Sequence, residues 1–491
     1  MNRLLLALAL VAGAAQASPW AEVGDRQFRQ DIEMLKAARI IRGPINAWPL
    51  PWAQIDNGIA FNDGVVLPPH LAAALVRVKA HSDMAQRRTT YEFKAAGTSD
   101  PQPVRDFGGG ARENGDVSVR ASHDLGSLYV SYGVGYRNGQ RGKDFHLEPS
   151  YAAVQIGNWA LYGGYVEEWF GPGHDGALLF SNSARPFPKI GIKRLSPDPI
   201  GLPVLKWLGP IRLDVFAGVL TENRDFDDTG IIGIRIAFEP VHGLEIGLNR
   251  GLQLCGRARP CSAKTIGQAL IGFGNFDNTG TVNEPGNQLA GFDISLTRQI
   301  GNVTAQVYAE AEAEDEDNII IEQFARLAGV ALSGPLGKSG ASWNLNVEAT
   351  DTLGSKLFGG TKYPGSLYNN FIYTDGFTYK RQSLGYSLDA DTRTITVSGA
   401  VNDTKNRRWY ASLRDIDLLA SNAQVQFAGG GMFPNRVTRN RETIQIATAG
   451  VEWPSQFGDI RVEGRLQNDG PDTPGTSKLT PALEIAFRSR F

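Results

Sequence analysis

The chain has 491 residues, 49 of them Lys or Arg and 51 Asp or Glu, for a net charge of −2. That balance gives no electrostatic footing for a nucleic-acid partner, and two cysteines are too few for a disulfide-built scaffold. Beyond the N-terminus no apolar run approaches the roughly 18 residues a membrane helix needs, so only strands could span a bilayer.

Residues 1–17 read as a cleaved secretory signal. Arg3 supplies the positive start, Leu4 to Ala15 the apolar stretch, and Ala15-Gln16-Ala17 a small-x-small cleavage site. The residue after the cut is Ser18 rather than Cys, which argues against a lipoprotein.

Residues 18–87 carry a helical pattern. Asp25 can cap a helix with Phe28, Ile32 and Leu35 on one face, ending before Gly43-Pro44. Pro68-Pro69 opens another, with Leu71, Ala74, Leu75 and Val78 aligned. Between them Trp48-Pro49-Leu50-Pro51-Trp52 is too proline-rich for helix or central strand.

From about residue 88 to Phe491 the period becomes two. Val303 to Ala313 alternates Val or Ala with Thr304, Gln306, Tyr308, Glu310 and Glu312, and similar segments of roughly ten residues recur to the end. Short connections, such as those at 126–127, 157–158, 239–243, 299–302, 402–405 and 454–458, interleave with long ones. The long ones lie near 97–114, 137–148, 169–186, 251–287, 351–392, 416–440 and 468–478, and the connection at 195–210 is long where a short one belongs. The pattern predicts an all-β transmembrane barrel of about eighteen antiparallel strands with its short turns in the periplasm. The last strand ends on Phe491, like barrels handed to the outer-membrane assembly machinery. The inward positions Arg120, Arg212, Asp214, Arg235, Glu310, Glu348, Arg461, Glu463, Arg465 and Glu484 mix signs, which suits a filled, salt-bridged interior better than a one-sign channel.

Little of this carries catalytic chemistry. Gly171-Pro-Gly-His-Asp-Gly176 spells a dinucleotide fingerprint, but no helix can open before Arg185-Pro-Phe-Pro188, so it reads as a glycine-rich loop. Glu167 and Glu168 point to opposite faces of a strand and cannot flank one glycosidic bond. His174-Asp175 lacks a recognisable nucleophile, so no enzyme and no cofactor are expected. The acidic run Glu310, Glu312, Glu314, Asp315, Glu316, Asp317 lacks a calcium-loop pattern and reads as a solvated strand end, and no metal is expected. Cys255 and Cys261, in an exported chain without other zinc ligands nearby, read as a disulfide stapling a surface loop. The 351–392 segment offers Tyr363, Tyr368, Phe371, Tyr373, Phe377, Tyr379 and Tyr386 as faces for sugar stacking, with Asn369, Asn370, Asp375 and Arg381 to bond hydroxyls. The same rings could instead pack the loop or mark the membrane interface.

Several stretches together resemble the Wzi family of capsule-assembly outer-membrane proteins. They are Ser18-Pro-Trp, Gly43-Pro44 with Trp48-Pro-Leu-Pro-Trp52, Asn158-Trp-Ala-Leu-Tyr162, Val166-Glu-Glu-Trp-Phe-Gly-Pro-Gly-His-Asp-Gly176, Ser181-Asn-Ser-Ala-Arg-Pro186, Tyr373-Thr-Asp-Gly376 and Ser383-Leu-Gly385. The resemblance implies an eighteen-stranded barrel closed at its periplasmic end by a helical bundle, acting as a lectin for capsular polysaccharide. The block Trp159 to Pro186 could equally be a loop folded into the barrel. The glycan-contact candidates are Trp169, His174, Asp175, Tyr363, Tyr368, Tyr373, Asp375, Tyr379 and Arg381. Expected partners are a surface polysaccharide, outer-membrane lipid and lipopolysaccharide, and the barrel assembly machinery, with the protein itself a monomer. The alternative function is a carbohydrate-selective porin.

Overall fold

The computed structural model describes residues 18–140, 142–203, 205–271, 286–314, 323–360, 362–421, 435–473 and 478–491. The expected signal, residues 1–17, and the acidic residues Asp315, Glu316 and Asp317 lie outside them.

Eighteen antiparallel strands close into a barrel. In chain order they are β1 (Thr89–Thr98), β2 (Gly115–Asp124), β3 (Leu128–Gly139), β4 (Gly142–His146 resuming at Tyr151–Ile156), β5 (Trp159–Tyr165) and β6 (Pro188–Arg194). They continue with β7 (Ile211–Leu220), β8 (Thr229–Val241), β9 (Leu244–Leu254), β10 (Gly286–Ile300), β11 (Val303–Glu314) and β12 (Phe324–Pro335). The last six are β13 (Ser342–Ser355), β14 (Thr392–Asn402), β15 (Arg408–Leu418), β16 (Glu442–Ser455), β17 (Gly458–Gln467) and β18 (Thr480–Arg490). In hydrocarbon every backbone amide and carbonyl must find an internal partner, and closure removes the unpaired edge. β18 meets β1 from Glu484↔Thr98 to Arg490↔Glu92, and reciprocal backbone bonds of 2.9 and 3.1 Å between Tyr91 and Phe491 end the seam.

The period of two is physical. On β11 Thr304, Gln306, Tyr308, Glu310 and Glu312 are buried, whereas Val307, on the other face, is exposed to the membrane side. The same holds for Val330, Val347, Val397 and Leu413. Short turns and long connections alternate around the barrel, placing the short rim in the periplasm. One connection departs from expectation, and another is long as the sequence indicates. Residues 137–148 are not a long loop: Gly139 pairs with Gly142, and a tight hairpin extends β3 and β4 past their neighbours. The 195–210 connection is long on the short rim, where Arg194 donates to the carbonyls of Ile211 and Asp198, both at 2.8 Å.

The helices of residues 18–87 sit at the short rim. Asp25 caps α1 (Arg26–Ala37), its carboxylate accepting the Phe28 amide at 2.8 Å. α3 (Pro69–Ala85) begins at the proline pair and is clamped to α1 by a bidentate Arg77–Asp31 pair, both bonds 2.7 Å. A third helix, α2 (Trp52–Phe61), which the sequence did not single out, follows Pro51. Its Asp56-Asn57-Gly58 run is poor helix material, and what holds it is close packing: a Cβ on Gly58 would lie 2.6 Å from the Ile40 carbonyl. Gln30 accepts from Asn402 and Arg408, at 3.1 and 2.7 Å, on either side of one short turn. Lys36 reaches Glu245 at 3.1 Å beside another.

Three long connections, around 99–114, 166–187 and 364–391, turn inward and stack above the helices. Trp169–Phe170 pairs antiparallel with Ala47–Trp48, and Phe107 packs edge-on against both Trp48 and Trp169, at 5.1 and 5.4 Å. The wall holds this plug through its backbone. Glu348 accepts the amides of His174, Asp175 and Gly176 at 2.6, 3.1 and 2.9 Å, and the Tyr308 hydroxyl at 2.7 Å. Glu310 accepts the Leu178 amide at 2.9 Å, and Glu245 those of Ile45 and Asn46 at 2.8 and 3.0 Å. Glu310, Glu312 and Glu314 are therefore not a solvated strand end, because all three point into the lumen and are buried.

The E348A substitution removes the acceptor of three buried amides and should cost on the order of 3 kcal/mol in plug docking. Proteinase K should then cut within 169–186 while the barrel keeps its heat-modifiable migration; a loop as resistant as in the parent chain would show that the carboxylate does not hold it.

Candidate functional site

The extracellular mouth is framed by the connection 221–228, the stapled loop after β9, the segment 364–391 and residues 435–441. Local side-chain bonds shape it: Asn370 accepts the amides of Ile372 and Tyr373 at 2.8 and 3.0 Å, an Asx turn. Asp225 and Asp375 each accept the other's backbone amide, at 2.8 and 2.7 Å. Arg224 donates to the carbonyls of Thr378 and Gly376 at 2.9 and 3.0 Å, and Arg436 to that of Asp375 at 3.1 Å. Gly376 has φ 67°, and a Cβ there would strike Tyr368 and Arg436.

Cys255 and Cys261 form a disulfide with a Cα–Cα distance of 4.8 Å. The Cys255 carbonyl accepts the Tyr373 hydroxyl at 3.0 Å. The loop then runs into α4 (Ala263–Ile271), which lies on the outside of the barrel. Ile266 covers the outward-facing Leu252 and Leu254, and Arg250 caps the helix C-terminus through the Ala269 and Leu270 carbonyls at 2.9 and 2.8 Å.

The candidate glycan contacts divide in two. Trp169, Tyr368, Tyr373 and Tyr379 are buried, each at 2% exposure or less, and do not offer a ring face to the outside. A buried Trp or Tyr packs its ring and needs a partner for its polar tip, and each has one. Trp169 donates to the Gly173 carbonyl at 3.1 Å, Tyr368 donates to that of Leu178, and Tyr379 shares a 3.0 Å bond with Thr221. His174 and Asp175 also lie inside. Asp175 is held by Arg414 at 2.6 Å and Thr396 at 2.6 Å, among residues from β14 and β15. That leaves Arg381 exposed and Tyr363 and Asp375 partly so. Beside them stand residues the sequence did not single out, Asp225, Thr374 and Lys380, along with Phe371, which is exposed. Asp225 comes from a different connection, and nothing in its spacing could have joined it to Asp375.

His174 lies 3.4 Å from both Gln306 and the Glu33 carboxylate. Burial pushes its imidazole down to about 4, against the opposing charge of Glu33 and with Arg29 adding to the depression. A depressed histidine contributes stability that is complete above the ordinary value of 6.5 and is lost as pH falls from there toward 4. The loss amounts to at most about 3 kcal/mol. Asp31, raised to about 6 by burial against the pull of Arg77, acts in the opposite sense and loses its contribution as pH rises toward 6. A comparison of the parent chain with H174Q cancels Asp31, so the parent's unfolding midpoint should drop further than that of H174Q between about pH 7.5 and pH 4.5. Equal acid sensitivity in the two would refute the assignment.

The sequence pattern of the family described as capsule assembly protein Wzi matches residues 84–475. A Klebsiella pneumoniae protein described as an uncharacterized 55.8 kDa protein in the cps region is 29% identical over 363 residues, 71% of this chain and 69% of that one. The fold matches that of Wzi, described as an outer-membrane protein involved in group 1 capsule assembly in Escherichia coli and a carbohydrate-binding β-barrel. The TM-score is 0.78 at 22% identity, over 96% of this chain and 99% of that one. OccD3 of Pseudomonas aeruginosa aligns at a TM-score of 0.47 and 9% identity, over 82% of this chain and 91% of that one. With most of its length matched by that pattern, from the end of the helical region through the seventeenth strand, this outer-membrane β-barrel belongs to the capsule assembly protein Wzi family.

Proposed function

We propose that this protein binds a capsular or other surface polysaccharide at the extracellular mouth and retains it at the cell surface, without chemical turnover. The observation that carries the reading is the plug: helices and three inward connections occupy the lumen and are bonded to the wall, while the outward ends of those connections form a polar rim. Family membership and the carbohydrate binding described for the Escherichia coli relative support the same role. Tyr363, Asp375 and Arg381 are the contacts proposed from the original candidates, with Phe371 and Lys380 beside them. A ring supplies an apolar face to a sugar, and the carboxylate and guanidinium bond hydroxyl or acidic substituents. Each contact is weak, but a polymer repeats its epitope, so retention grows by avidity. Asp175 is engaged by Arg414 and His174 stands beside Gln306 within the plug, which supports a binding role over turnover.

Purified protein displayed on a surface should retain the host's own polysaccharide and not dextran, and the combined variant Y363A/D375N/R381A should lose about tenfold in retention. Undiminished retention by that variant would remove these residues from the site. In cells, loss of the gene should move polymer from the cell pellet to the medium; unchanged cell-attached polymer would defeat the role. In planar bilayers the protein should give no steady sugar-blockable current, the result that a porin would produce.

A further inference from the structure

The outward face of the barrel is apolar over most of its height, yet along one stretch of the extracellular rim it carries a row of alternating charge. In ladder register Arg326 on β12 stands opposite Asp351 on β13, Asp351 opposite Arg393 on β14, and Arg393 opposite Asp417 on β15. Arg441, immediately before β16, closes on Asp417 at 3.4 Å. Arg326 and Arg393 share the one Asp351 carboxylate, at 3.6 and 3.2 Å. Alternate residues share a face, and these side chains lie on the same faces as the membrane-exposed Val330, Val347, Ile395 and Leu413. They therefore point away from the lumen, at the height where the strands leave the hydrocarbon.

Exposed ion pairs contribute little to stability in water, and charge on the lipid face is tolerated only near the interface, so neither folding nor solubility accounts for five such residues in one row. The row holds three guanidinium groups against two carboxylates. The side chains of Arg326, Arg393 and Arg441 are 32%, 42% and 50% exposed. A guanidinium fork matches a phosphate, and successive arginines stand two strands apart, about 10 Å. That spacing suits a ligand bearing more than one phosphate better than a single phosphodiester headgroup. Above the row, the Leu357 carbonyl accepts from Arg326 at 3.3 Å, and the next residue, Phe358, is 98% exposed. An aromatic side chain is thus offered beside the charges.

We propose that the outward row Arg326–Asp351–Arg393–Asp417–Arg441 is a binding site for the phosphate groups of lipid A, the phosphorylated glycolipid of the outer leaflet. The site lies on the membrane face of β12 to β16, apart from the mouth, and requires nothing of the polysaccharide reading. Protein stripped of co-purified lipid and placed in nanodiscs should, by native mass spectrometry, take up bisphosphorylated lipid A in preference to dephosphorylated lipid A and to phosphatidylglycerol. R326Q/R393Q/R441Q should reduce lipid A occupancy about fivefold with unchanged heat-modifiable migration. D351N, which removes a carboxylate competing for two of the guanidinium groups, should raise it. Full occupancy in the triple variant, loss of occupancy in D351N, or equal uptake of phosphatidylglycerol would each overturn the proposal.

Discussion

Three buried carboxylates on the barrel wall, Glu245, Glu310 and Glu348, each answered by backbone amides of the plug, are the constraint on which the rest of the molecule depends. An ionised side chain removed from water costs several kcal/mol unless it is paired and hydrogen-bonded. A strand pattern that puts Glu245, Glu310 and Glu348 in the lumen therefore demands donors inside it. The plug supplies them as main-chain amides at Ile45, Asn46, His174 to Gly176 and Leu178. The wall arginine Arg212 donates in turn to the Ala47 carbonyl, and within the plug Arg29 donates to Pro172 and Gly173 and Arg112 to Ser183. Wall and plug are thus each other's solvent, and neither is satisfied alone.

The extracellular mouth inherits its shape from that arrangement. The 166–187 connection is fixed from below by Glu348 and Glu310, and the 364–391 segment stands on it through Tyr368 to Leu178 and through the Ser181 amide to the Leu384 carbonyl at 2.8 Å. Phe180 joins Phe170, Phe216 and Phe377 in the cluster between them. Loops held in this way lose little further freedom when they meet a ligand, which favours a weak but repeated contact over one that must first order its own surface. The buried tyrosines pack inside the segment that also carries the exposed Arg381 and Phe371.

The barrel was legible because a period of two extended over some four hundred residues leaves few folds available, and the turn pattern gave the strand count and the orientation. The Asp25 cap and the Pro68-Pro69 start were legible because capping is local chemistry. What failed to show was which water-like surroundings a polar residue meets. Glu310, Glu312 and Glu314 alternate as a solvated strand would, and only the inward loops make their side the dry one. The aromatics of 351–392 left two readings open for the same reason, since a ring poised for sugar and a ring packed on Leu178 look alike in sequence. α2 was hidden because its stability comes from Ile40 and its neighbours rather than from its own residues.

Strand parity decides what each charge means. On β13 Glu348 and Asp351 lie three residues apart, so one faces the plug and the other the membrane side. Glu348 is buried and gathers three amides, whereas Asp351 is partly exposed and lies between two outward arginines. On β15 Arg414 reaches inward to Asp175 while Asp417 pairs outward with Arg441. A one-residue register slip would exchange these roles, putting the carboxylate that holds the plug into the membrane and an interfacial charge into the core. Glu348 and Arg414 are thus met inside by the plug, while the outward charges pair with one another in the row proposed above as a phosphate-binding site.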